Sequence, residues 1–156
     1  MGLHEDVKNE SVVALPMRRP LVLRRDATVR TAIEQMKTRQ LGCVFILDEK
    51  DRPIGKFTER ILVHVLAKSP DRLDDPVEKH MKVMDGCVKN TDPIACALEC
   101  MQQAKVRFIC ITTQEGKVHG LTGQKGMMAY IAEHFARPVK AQLMDSKLHM
   151  DQREGA

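Results

Sequence analysis

Two stretches carry the residues best suited to chemistry: "GKFTERI" at 55–61 and "GLTGQKG" at 120–126. Each places a glycine in a strand-like run that gives way to a helix-like one. Such a junction presents unpaired backbone N–H groups and the positive end of a helix dipole, and both favour an anion such as phosphate. In the first stretch Thr58 stands at the junction, and Arg60 adds a guanidinium able to grip phosphate with two hydrogen bonds. Thr58 has a second reading as a plain helix N-cap. In the second stretch two glycines flank Lys125. Backbone N–H groups there can cradle a phosphate, and an ordinary glycine-rich turn is the competing reading.

Other combinations are poor. Six histidines show neither an H-x₃-H nor an HExxH pattern. No Ser-His-Asp or Cys-His arrangement stands out, so no catalytic residue is assigned. Cys96 and Cys100 share one helix face, but a metal needs further ligands and no histidine lies near in sequence. No metal is expected, and partly buried neighbouring thiols fit better. Arg18, Arg19, Arg24 and Arg25 surround a short strand. They suit either an anion site at a cleft mouth, an acidic partner, or a solvated edge that blocks aggregation.

The composition sets outer bounds. A chain of 156 residues buries roughly 70% of its unfolded surface, and 43% apolar residues are enough for a packed core. Only 3% aromatic residues argue against a stacking platform for single-stranded nucleic acid. The net charge of +4 admits a phosphate-bearing ligand without requiring DNA or RNA. Five cysteines, an odd count, fit a reducing cytoplasm better than a disulfide framework. The first residues match neither a signal peptide nor a myristoylation pattern, and no apolar run approaches the ~20 residues of a membrane span.

The elements that must position the two stretches form a repeat. Residues 21–23 read as a strand, 28–40 as a helix capped by Thr28 or Asp26, and 43–48 as a strand buried on both faces. A second strand at 53–58 and a helix at 59–68 follow, with Ile61, Leu62, Val65 and Leu66 on one side. A shift of 65 positions brings Ala32 onto Ala97, Met36 onto Met101, Ile46 onto Ile111 and Gly55 onto Gly120. The second unit is then a strand at 86–89, a helix at 93–105, strands at 108–113 and 117–122, and a helix at 124–135. The β-α-β-β-α order thus occurs twice. Pro70 and Pro76 break helix between the units, and "PVEKHM" forms a short turn. Each unit alone is marginal, so the two sheets are expected to pack about a pseudo-twofold axis, leaving a cleft between them.

The stretches at 26–62 and 92–127, with "PMRRPLVL" and "DDPVEKHM" as lead-ins, resemble the paired cystathionine-β-synthase (CBS) domain, or Bateman module. The resemblance spans roughly 16–136. It implies an α/β (α+β) fold of two CBS repeats: an N-terminal segment 1–15, motif 1 over 16–75, motif 2 over 76–136 and a tail over 137–156. It further implies a stand-alone, cytoplasmic, non-catalytic regulatory module. Such a module binds AMP, ADP, ATP, S-adenosylmethionine or NAD in the cleft, with no obligatory cofactor. A homodimer through helices 59–68 and 124–135 and a regulated protein partner are implied, with no membrane and no nucleic acid. The apolar breadth of both helices independently suits burial on two sides.

The family signature runs glycine, two residues, Thr or Ser, two residues, Asp. The hydroxyl faces phosphate and the acid grips the ribose. Gly55 and Thr58 match it, but Ile61 takes the acid position. Glu59 is no obvious substitute, because two helical residues rotate by about 200°. In the second motif Gly123 and Gly126 take the hydroxyl and acid positions, and Thr122 faces the other side of the strand. By the same resemblance Gly42, Cys43, Val44 and Phe45 line the adenine side of one site, and Arg107, Phe108, Ile109 and Cys110 that of the other. Phe45 and Cys110 suit a buried core. Arg107 wants either a phosphate or a surface salt bridge. The expected nucleotide-contacting set is Gly42, Cys43, Val44, Thr58, Arg60, Ile61, Arg107 and Lys125, with binding first at "GKFTERI". The competing expectation is a structural or protein-interaction module whose nucleotide sites have degenerated.

Overall fold

The structure is a computed structural model and describes residues 2–84 and 87–136. The tail at 137–156, expected to extend a helix or be disordered, lies outside the described residues. Helix α1 (Leu3–Asn9), which the sequence reading left without structure, precedes β1 (Val22–Arg24), α2 (Val29–Arg39), β2 (Cys43–Leu47), β3 (Pro53–Thr58) and α3 (Glu59–Lys68). Two 3₁₀ turns, one of them Val77–Lys79 within "PVEKHM", lead to β4 (Lys82–Val83). The second unit comprises β5 (Val88–Lys89), α4 (Ile94–Ala104), β6 (Phe108–Thr112), β7 (Val118–Gly123) and α5 (124–136). The β-α-β-β-α order therefore occurs twice, and the fold is α/β with two small sheets.

The repeat extends to fine detail. One sheet runs β1-β2-β3-β4 and the other β5-β6-β7. In each the first strand pairs parallel and the second antiparallel. The register slips at Ile46/Leu47 in one and at Ile111/Thr112 in the other, positions equivalent under the repeat. Helices α2 and α4 both end on a left-handed residue, Gln40 at φ 51° and Lys105 at φ 52°. Neither is glycine, so each stop carries a conformational cost of about 1 kcal/mol that its helix-end hydrogen bonds offset. Thr28, rather than Asp26, caps α2: its hydroxyl accepts the Thr31 amide at 3.1 Å. Strand β2 is buried along its whole length, as a continuous apolar run dictates.

The chain segments leading into each unit cross to the other one. Strand β4 precedes the second unit yet pairs with β3 of the first. Arg18 precedes the first unit yet bridges Leu121 of β7. Val12 and Leu15 are buried in the second core beside Ile94, Ile111 and Met127, while Val77 is buried in the first beside Val44, Ile46 and Phe57. The exchange accounts for the glycine that opens each stretch. A Cβ on Gly55 would strike the Met81 sulfur, and one on Gly120 would lie 2.9 Å from that of Met17. Both glycines are packing positions for a methionine that arrives from the crossing segment.

Between the sheets Cys43, Phe45 and Cys110 form a third cluster, with Phe45 and Phe108 edge to face at 6.5 Å. Phe45 and Cys110 are core residues, as their strands suggest. Leu66, expected on the apolar side of α3, is instead exposed. Arg24 pairs with Asp51, and Arg25 with Glu49 at 3.5 Å, so these two serve the edge of the first sheet.

Candidate functional site

A cavity of about 450 Å³ opens where the two units meet. It is built on the second stretch. The paired backbone of Arg18 and Leu121, at 2.8 and 2.9 Å, fixes Arg18 at one edge. The start of β6 places Arg107, and the Gln124 amide donates to the Arg107 carbonyl at 2.9 Å, anchoring the start of α5 and with it Lys125. The first unit closes the opposite wall through the same construction. The Glu59 amide donates to the Gly42 carbonyl at 3.1 Å, which sets the start of α3 beside the start of β2.

The charges are uneven. Arg18, Arg107 and Lys125 face the cavity together with one carboxylate, Glu59. Among the described residues none of these four side chains is in an ion pair or hydrogen bond, so the salt bridge weighed for Arg107 is absent there. Three cations beside a helix N-terminus favour an anion.

The last two glycines of the second stretch, Gly123 and Gly126, have a steric cause. A Cβ on Gly126 would lie 2.6 Å from the Thr122 hydroxyl oxygen and 2.8 Å from the Pro16 carbonyl oxygen. The Thr122 hydroxyl itself donates to that carbonyl at 3.0 Å. A Cβ on Gly123 would strike the Arg107 carbonyl and sit 2.8 Å from the Phe108 Cα. No side chain fits at either position without moving backbone.

Of the residues expected at a site, Gly42, Cys43, Arg107 and Lys125 line this cavity. Val44, Thr58, Arg60 and Ile61 do not. The Thr58 hydroxyl accepts the Ile61 amide at 3.3 Å, which is the N-cap role. Ile61 packs against the first core, Val44 is fully buried in it, and Arg60 is exposed. Arg18 and Glu59 were not in the expected set. Arg18 was one of four similar arginines whose difference is its bridge to β7. Glu59 points away from Ile61, and that rotation carries it to the cavity.

The thiols are poor nucleophiles. Burial pushes Cys43 and Cys110 up to about 12. A second cavity, of about 440 Å³, is lined by Cys87, Cys96 and Cys100 with Asp92 and Glu99. Burial raises all three of these thiols as well. No group of three or more His, Cys, Asp or Glu side chains among the described residues is placed to hold a metal ion. Among them, too, no helix is long and apolar enough to cross a membrane.

Comparison with known proteins fits this architecture. Residues 10–68 match the family model of the CBS domain. The whole fold resembles a CBS domain protein from Pyrobaculum aerophilum complexed with AMP, with a TM-score of 0.70 and 22% identity over 80% of this chain and 97% of that one. It also resembles a CBS domain pair in complex with 5′-methylthioadenosine and S-adenosyl-L-methionine, at a TM-score of 0.68 and 13% identity over 80% of this chain and 98% of the other. The chain carries a CBS domain over residues 10–68 and has the fold of a CBS domain pair. An uncharacterized 17.7 kDa protein of Acidianus ambivalens is 33% identical over 101 residues, 64% of this chain, and the match spans 60% of that relative's length. The family model falls on the first repeat, whereas the cavity with its three cations is built on the second.

Proposed function

We propose that this CBS pair is a regulatory module that binds an adenosine-containing anion in the cavity of its second repeat. The observation that carries the reading is the convergence of Arg18, Arg107 and Lys125, without partners among the described residues, on an open volume of about 450 Å³. AMP is the leading ligand, because a similar fold is complexed with it and its phosphate suits the three cations; ADP, ATP and NAD share that phosphate and adenosine, while S-adenosylmethionine, bound by another similar fold, offers only its carboxylate. In this reading the role is binding rather than catalysis. Five free cysteines fit a cytoplasmic setting. Exposed apolar side chains on α3 and α5, namely Val63, Leu66, Met128 and Phe135, support a homodimer through these helices and leave a surface for a regulated partner.

A second reading is a protein-interaction module with degenerate sites, favoured by the glycines at 123 and 126. Thermal unfolding separates the two. A ligand present at a hundred times its Kd stabilises by about 2.7 kcal/mol through mass action. Millimolar AMP is expected to raise the midpoint by several degrees. No shift with AMP, ADP, ATP, NAD or S-adenosylmethionine leaves the interaction module as the reading.

A further inference from the structure

We propose that Glu59 of the first repeat is the hydroxyl-binding carboxylate of the cavity built on the second repeat. The inference rests on the adenosine reading above. At the acid position of the second motif, Gly126, the Pro16 carbonyl and the Thr122 hydroxyl fill the space that a side chain would need. No carboxylate can act from there. Glu59 is the one carboxylate among the residues that line the cavity.

Its position is fixed from two directions. The Glu59 amide is tied to the Gly42 carbonyl at 3.1 Å. The carboxylate then folds over Gly42, where a Cβ would lie 3.2 Å from the carboxyl carbon and 3.3 and 3.5 Å from its oxygens. Gly42 is thus the residue that gives the carboxylate room. An ionised carboxylate only accepts hydrogen bonds, and among the described residues this one receives none. A ligand held at its anionic end by Arg18, Arg107 and Lys125 meets Glu59 with whatever donors it carries. On an adenosine ligand the donors close to the phosphate are the vicinal ribose hydroxyls. The two ends of the cavity therefore read the two halves of the ligand, with cations from the second repeat and its leader and the acceptor from the first.

Calorimetric titration of the full chain with AMP and with 2′,3′-dideoxy-AMP tests the assignment. Wild-type protein is expected to bind AMP about 10-fold more tightly than the dideoxy nucleotide, a difference typical of a charged acceptor losing its donors. Glu59→Ala is expected to erase that preference, weakening AMP while leaving dideoxy-AMP unchanged or tighter. Gly42→Ala, which displaces the carboxylate without removing its charge, is expected to give a smaller loss in the same direction. A preference preserved in Glu59→Ala, or absent from the wild type, overturns the role of Glu59 while the nucleotide reading stands. Failure of the wild type to bind either nucleotide overturns both.

Discussion

"GKFTERI" and "GLTGQKG" occupy the same corner of the same backbone and fill it in opposite ways. In the first repeat the corner is closed by side chains. Thr58 caps α3, Ile61 packs inward, and the position equivalent to Arg107 is Gly42, which carries no charge. In the second repeat two glycines let the Pro16 carbonyl and the start of β6 close against α5, and the cations stand around an open volume. A motif's resemblance to a family signature can therefore report helix capping. Whether a corner receives a ligand depends on what faces it from other segments, here the leader that carries Arg18.

The contrast is broken most forcefully at the acid positions. Gly126→Asp restores the signature of the second motif on paper, yet its Cβ meets the Pro16 carbonyl and the Thr122 hydroxyl. Overpacking of this kind is expected to cost about 3 kcal/mol, and the added carboxylate faces a carbonyl oxygen instead of a sugar. Chemical denaturation is expected to show that loss together with weaker nucleotide binding. A stable Gly126→Asp protein that binds AMP more tightly would mean the corner is more accommodating than its packing indicates. A smaller effect sharpens the first stretch. Thr58→Ala removes an N-cap and is expected to lower stability by about 1 kcal/mol, roughly 2–4 °C in midpoint, with the AMP-induced shift unchanged. Loss of that shift would return phosphate binding to Thr58.

Much of the fold is legible in the sequence because the apolar pattern is strong. The continuous run at 43–47, the stripe Val29, Ala32 and Met36, and the 65-residue shift lead directly to the paired units. Helix α1 is less legible: it starts at Gly2 with no side-chain cap and has no buried residue of its own. The crossing of the leaders is also hidden, since nothing local to Met17 or Met81 says which glycine each will cover. The site is half legible. Gly42, Cys43 and Arg107 follow from the family resemblance and Lys125 from its helix start, and all four line the cavity. Arg18 reaches the cavity through its pairing with Leu121 of the other unit, and Glu59 through the turn that ties its amide to Gly42; neither is written in the local spacing.

The central claim is that an anionic ligand binds at the second repeat. Affinity for AMP in Arg107→Ala and in Arg60→Ala tests it most directly, since both arginines are exposed and neither change should disturb the core. A charge-assisted hydrogen bond to phosphate contributes about 1.5–3 kcal/mol. Arg107→Ala is therefore expected to weaken AMP about 10-fold or more, with Arg60→Ala indistinguishable from wild type. The opposite result, loss in Arg60→Ala with Arg107→Ala unaffected, would place the ligand at "GKFTERI" and contradict the account.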